Sequence, residues 1–95
     1  MQNDAYEAIF DALSHRVRRQ ILMTLNFKGG AMSAGDIAAM FEHSWPTTTG
    51  HLKVLIAAGL IGSHRDGRSR IYTLNRQRLQ LAADWLAWFF KDPGG

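Results

Sequence analysis

Ninety-five residues suffice for one domain, and so short a chain builds a modest core that leaves room for association with a second copy. An apolar fraction of 46% beside 20% charged residues excludes a disordered chain, and no apolar run approaches the ~18 residues of a membrane span. The absence of cysteine excludes disulfides, thiol redox sensing and thiolate metal sites, while a net charge of +3 and a pI of 9.8 favour a polyanionic partner.

Asp4 and Glu7 have the spacing of a capping box and open a first helix whose apolar face is Ile9, Phe10 and Leu13. Ser14 is the expected cap of a second helix, with Val17, Ile21, Leu22 and Leu25 recurring at helical spacing and Arg16, Arg18 and Arg19 in solvent. Of these arginines, one is expected to support a phosphate contact and another to pair with an acid inside the fold. Residues 26–32, holding Gly29 and Gly30, read as a loop. Residues 33–36 open a short third helix with Ile37, Ala38 and Phe41 inward, and Glu42-His43 makes a turn.

Ser44 caps a fourth helix, and Pro46 stands in its first turn, where a missing N–H costs nothing. Thr48, Leu52 and Leu55 form its buried side, and Gly59 ends it. Two extended runs, 60–65 and 68–74, flank Asp66-Gly67, a hairpin signal in which both turn residues take positive φ. Asn75 caps a last helix reaching about Lys91, and residues 93–95 are expected to fray. The fold class is therefore mostly α with a small β-hairpin wing, in the order α-α-α-α-β-β-α. That is a winged helix-turn-helix, read as a single domain over 1–95.

Several stretches now resemble a known family. ALSHRVRRQIL (12–22), MSAGDIA (32–38), SWPTTTGHLKVLIAAGLI (44–61), Arg65-Asp66-Gly67-Arg68 and Ile71-Tyr72-Thr73-Leu74 are similar to the opening, third helix, recognition helix and wing of ArsR/SmtB-type repressors. The likeness spans roughly residues 6–90 and is nearest the family's autorepressor branch. It implies a homodimeric repressor on double-stranded DNA, with the first and last helices forming the dimer.

A helix fits the major groove, so the outer face of the fourth helix is the candidate reader. The helical wheel turns Thr47, Gly50, His51 and Lys53 outward with Thr49 at the flank, and Ser44 with the helix start forms a phosphate clamp. Thr47-Thr48-Thr49 is otherwise only a helix start selected for capping. Gly50 departs from the family's long polar residue: either the backbone approaches DNA closely, or a base contact has been lost. Trp45 is also unusual there and is expected to cover the helix start. Arg65, Arg68 and Arg70 around the hairpin tip suit phosphate or minor-groove contacts, against the plainer reading of a charged, soluble edge.

The last helix carries Leu79, Ala82, Trp85, Leu86, Trp88, Phe89 and Phe90, more aromatic surface than one terminal helix can bury in so small a core. With Tyr6, Ile9 and Phe10 of the first helix, residues Leu79, Ala82, Trp85, Leu86, Trp88 and Phe89 are the expected dimer interface. The resemblance also brings an expectation about metal. Relatives place a Cys pair in the third helix, or Asp and His in the last. Here Ser33, Ala34 and Gly35 stand at the first site and no His at the second. His15, His43, His51 and His64 lie on different elements without ligand spacing, so neither a metal nor another cofactor is expected.

These readings make an autoregulatory repressor in the cytoplasm, not inserted in a membrane and released by an anti-repressor protein or by dilution. An apolar effector among the last-helix aromatics, or an interaction module that has lost DNA binding, are the alternatives. No enzyme is expected, since the sequence has no Cys, no paired acids at useful spacing and no Gly-rich phosphate loop, and nothing in it suggests Ser/His nucleophilic chemistry.

Overall fold

A computed structural model describes residues 4–91. The fraying expected of residues 93–95 and the Asp4 side chain of the capping box lie outside what it describes.

The first helix, α1 (Asp4–Leu13), buries Ile9 and Ala12 completely. The second, α2 (Arg16–Phe27), is capped by His15 and not by Ser14. His15 Nδ1 accepts the Val17 N–H at 3.1 Å, while Ser14 Oγ donates back to the Asp11 carbonyl at 2.6 Å. Serine satisfies an orphan carbonyl at the end of one helix and is spent before the next begins. Ile21, Leu22 and Leu25 enter the core as expected, with Val17 half-buried beside them.

The expected loop over 26–32 is partly a strand. Residues Ala31–Ser33 form β1, and pair antiparallel with β3 (Ser69–Leu74) in the register Ala31↔Thr73, Met32↔Tyr72, Ser33↔Ile71. The Leu74 N–H donates to the Gly30 carbonyl at 2.8 Å and extends that seam. With β2 (Ile61–Asp66) on the other side, the sheet order is β1-β3-β2, so the wing is anchored on both edges of its return strand.

Ser33 caps α3 (Ala34–Met40) by accepting the Asp36 N–H at 3.1 Å. Ile37 is buried and Phe41 half-buried, but Ala38 faces solvent, because one buried side chain spans so short a helix. After the turn comes α4 (Trp45–Ala57), with Thr48, Leu52 and Leu55 buried. Its exit needs a left-handed residue: Gly59 sits at φ +78°, and a Cβ there would lie 2.9 Å from Arg78 Nε. Arg78 in turn donates from Nε to the Ala58 carbonyl at 3.1 Å, closing the end of α4.

The hairpin turn falls one residue later than expected. Asp66 pairs with Ser69, leaving Gly67-Arg68 as the turn, and among the described residues only glycines have positive φ, with Gly67 at +63°. Glycine at the first central position is the primed type II pattern, which spares Asp66 a strained backbone. Asn75 caps α5 (Arg76–Ala87) by accepting the Arg78 N–H at 3.1 Å. A tighter 3-10 turn, Trp88–Phe90, finishes it with Lys91 as its cap. The core gathers α1 to α4 over the inner face of the sheet, joined by Ala82 from α5.

Candidate nucleic-acid interface

Ser44 Oγ accepts the Thr47 N–H at 3.4 Å and donates to Thr47 Oγ1 at 3.0 Å, which pins the start of α4 with both residues exposed. Opposite the buried stripe of Thr48, Leu52 and Leu55, the outer face carries Pro46, Gly50, Lys53 and Ala57, flanked by Thr47. Gly50 has ordinary negative φ, and a Cβ added there would meet nothing within 4 Å. Among the described residues nothing therefore requires a glycine at that position.

Two expected readers lie on the flanks of this face and not at its centre. Thr49 is half-buried, and its Oγ1 is shut from solvent without a hydrogen-bond partner, because its side of α4 turns toward the fold. His51 sits on the flank that faces α2 and is also half-buried. There the His15 and His51 rings lie 4.4 Å apart between centroids. Arg18 reaches both α1 and α4: Nε donates to the Ala12 carbonyl at 2.8 Å, Nη2 to the Asp11 carbonyl at 3.1 Å, and Nη1 meets His51 Nδ1 at 3.4 Å. Arg19 Nη1 donates to the Leu13 carbonyl at 2.7 Å. Arg18 and Arg19 thus close the C-terminus of α1 where an acid had been expected to pair with an arginine, since carbonyls left over at a helix end attract cations. Burial foremost, then His15, Arg18 and His43 nearby, hold the His51 pKa below its ordinary 6.5.

That gathering of histidines was not legible from spacing, since the partners come from α2, the turn before α4 and α4 itself. Among the described residues no group of three His, Cys, Asp or Glu is arranged to hold a metal. His64 is on β2 and stands apart in register, opposite Ile71.

Arg65, Arg68 and Arg70 are all exposed on the wing. Arg65 and Arg70 are direct cross-strand partners, and Arg70 Nη1 donates to Ser63 Oγ at 3.2 Å. Like charges opposite one another destabilise a ladder unless an anion lies beside them. The wing is therefore a cationic prong projecting from the strand that follows α4.

α1 also packs on α5. Ile9 and Ala82, both expected at a dimer interface, are buried within the protomer and offer no surface to a partner, because they supply the contact between these two helices. Leu79 and Phe10 are half-buried against the same core. Phe10 and Trp85 meet edge to face at 5.2 Å, and Trp85 meets Phe89 at 4.9 Å. Tyr6, Glu7, Phe10 and Trp85 line an open depression. Beyond it Leu86, Trp88, Phe89 and Phe90 remain exposed, Trp88 by 68% and Phe90 by 87%.

Residues 15–63, from the cap of α2 to the middle of β2, match the model of the bacterial regulatory proteins of the arsR family. The chain is 43% identical over 81 residues to the transcriptional repressor SdpR of Bacillus subtilis (strain 168), covering 85% of this chain and 88% of that one. The chain belongs to the arsR family. It is accordingly a DNA-binding regulator of transcription, and its relatives are regulators rather than enzymes. A second similar protein is the HTH-type transcriptional regulator YceK of the same organism, 32% identical over 72 residues, with 76% and 72% of the two chains covered. Among solved structures, an ArsR-like transcriptional regulator from Rhodococcus sp. RHA1 superposes on this arsR-family chain with a TM-score of 0.79 at 29% identity, over 93% and 81% of the two chains. No helix among the described residues is long and apolar enough to cross a membrane.

Proposed function

We propose that this chain is a repressor that binds a two-fold symmetric operator as a homodimer, with α4 in the major groove and the wing on the adjoining backbone. The observation that carries this reading is the pairing of parts. Among the described residues the outer face of α4 is exposed, and the hairpin that follows it presents three exposed arginines at and beside its turn. In this reading Thr47 and Lys53 meet DNA, the Ser44 cap and helix start take a phosphate, and Gly50 lets the backbone of α4 approach the groove. Arg65, Arg68 and Arg70 hold the flanking phosphates.

Trp85, Leu86, Trp88 and Phe89, with Tyr6 and Phe10, join the two subunits, making one domain with its dimer face at the terminal helices. Aromatic surface of this size in water is unfavourable, and a second copy covers it symmetrically. SdpR, the relative described as a transcriptional repressor, supports repression as the mode of action, and the resemblance of the sequence to the family's autorepressor branch favours the chain's own promoter as a target. Ser33, Ala34 and Gly35 stand where the family's metal sensors carry cysteines, which favours release by a protein partner over release by a metal.

Titration of a labelled duplex at rising salt tests the reading. Each phosphate neutralised adds a slope of about −0.9 to log affinity against log salt, so wild-type protein shows a steep line and Arg65→Ala or Arg68→Ala a shallower one by about 1. A weak and flat response identifies instead a fold that serves protein interaction without DNA.

A further inference from the structure

His15, Arg18 and His51 form a cluster on the flank of α4 that neither groove insertion nor dimerisation explains. Arginine only donates hydrogen bonds and keeps its proton at any physiological pH. Its contact from Nη1 to His51 Nδ1, at 3.4 Å, therefore assigns the lone pair to Nδ1 and the ring proton to Nε2. His15 is fixed the same way, because its Nδ1 accepts the Val17 N–H at 3.1 Å. Both Nδ1 atoms are thus acceptors, and the ring centroids lie 4.4 Å apart with the planes tilted by 50°. A second proton on His51 would set N–H against N–H and cation against cation at Arg18.

The charges around the pair reinforce this. Arg18 and His15 face it from α2, His43 from the turn before α4, and Lys53 shares its helix. From α1 come the carbonyls of Asp11 and Ala12, held through Arg18, and the Asp11 carboxylate does not reverse the lowered proton affinity of His51. β2, also packed on α4, carries His64 and Arg65 and, at its far end, Asp66.

We propose that Arg18 is a positioning residue for DNA recognition: it holds His51 as a neutral Nε2–H donor on the flank of α4, and protonation of His51 releases that hold and weakens sequence-selective binding. The proposal rests on α4 being the reading helix. An added positive charge strengthens indiscriminate attraction to phosphates, so the informative quantity is selectivity, the ratio of affinities for a preferred and a scrambled duplex.

The probe is a fluorescein-labelled duplex selected from a random library by the wild-type protein, with a scrambled duplex of equal composition, both measured by anisotropy at constant ionic strength. Selectivity of the wild type is expected to fall by about two- to fivefold between about pH 7.5 and pH 5.5, and further at pH 5.0, because the lowered proton affinity of His51 delays its protonation. His51→Gln, which keeps an uncharged donor but cannot titrate, is expected to show lower selectivity with a flatter profile. A wild-type profile that is flat or rises on acidification overturns the proposal, and so does His51→Gln falling as steeply as the wild type. Nitrogen-15 spectra of the free protein are independent of DNA: they are expected to show the Nε2–H tautomer of His51 near neutral pH, and its loss in Arg18→Gln. An Nδ1–H tautomer in the wild type overturns the assignment directly. Absence of salt-dependent binding to any duplex at any of these pH values would count against the DNA reading itself, whereas selective but pH-independent binding would count against this inference alone.

Discussion

Replacing Gly50 by alanine separates the demands of the fold from those of DNA. Gly50 lies inside the thirteen-residue α4, is exposed and has ordinary φ, and beyond its own helix a Cβ there would meet no atom of the described residues within 4 Å. The methyl group therefore adds no strain, and the variant gains the helix propensity that glycine forgoes, about 1 kcal/mol. For a domain of this size that raises the melting temperature by roughly 4–8 °C, well within the reach of calorimetry or urea unfolding. On DNA the sign reverses. The same methyl projects from the centre of the reading face, so affinity for a selected duplex is expected to fall while stability rises. Damage to the fold cannot produce that combination. A destabilised variant would show that Gly50 is not in open space, and a stabilised one with unchanged affinity would show that the centre of α4 does not approach DNA closely.

Gly59→Ala should act in the opposite direction: a left-handed alanine costs about 1–2 kcal/mol, and displacing Arg78 forfeits about 1 more from its bond to Ala58, so the urea midpoint should drop clearly. Thr49→Val removes a hydroxyl that is buried without a partner, and is expected to be neutral or stabilising with DNA affinity unchanged; a large loss of affinity would return Thr49 to the reading face. Trp88→Ser with Phe89→Ser should shift sedimentation equilibrium from dimer to monomer while preserving helical content, because both side chains are exposed in the protomer. A lowered His51 pKa means that the unfolded chain binds the extra proton first. Its contribution to stability is complete above the ordinary value of 6.5 and declines as pH falls below it, which urea midpoints near neutral and acid pH will reveal by their difference in the wild type and its reduction in His51→Gln.

Local signals suffice where the chemistry is local. The Ser44 cap, Pro46, the Thr48–Leu52–Leu55 spacing and Gly59 are all consequences of near neighbours, and α4 stands where they put it. β1 escaped notice because three residues with a single buried side chain, Met32, carry no alternation, and the pairing partner Tyr72 lies far along the chain. The hairpin slipped by one residue because Asp66-Gly67 and Gly67-Arg68 both offer a glycine-bearing turn, and only the strand register chooses between them. Ser14 and His15 were equally invisible as rivals: the serine turns back to α1, and the histidine is held in its cap beside a ring from α4. Ile9 and Ala82 look like any other members of an amphipathic face. Only the packing of α1 on α5 shows which apolar residues close the protomer and which, like Trp88, are left over.

Selection of bound fragments from genomic DNA, followed by footprinting, tests the central claim most directly. A homodimer reading with α4 and gripping with its wing predicts enriched sequences with two-fold symmetry, their half-sites about one helical turn apart at roughly 34–36 Å, and protection of both halves by two chains. Enrichment of an unsymmetrical site occupied by one chain, or no enrichment over bulk DNA, would contradict it.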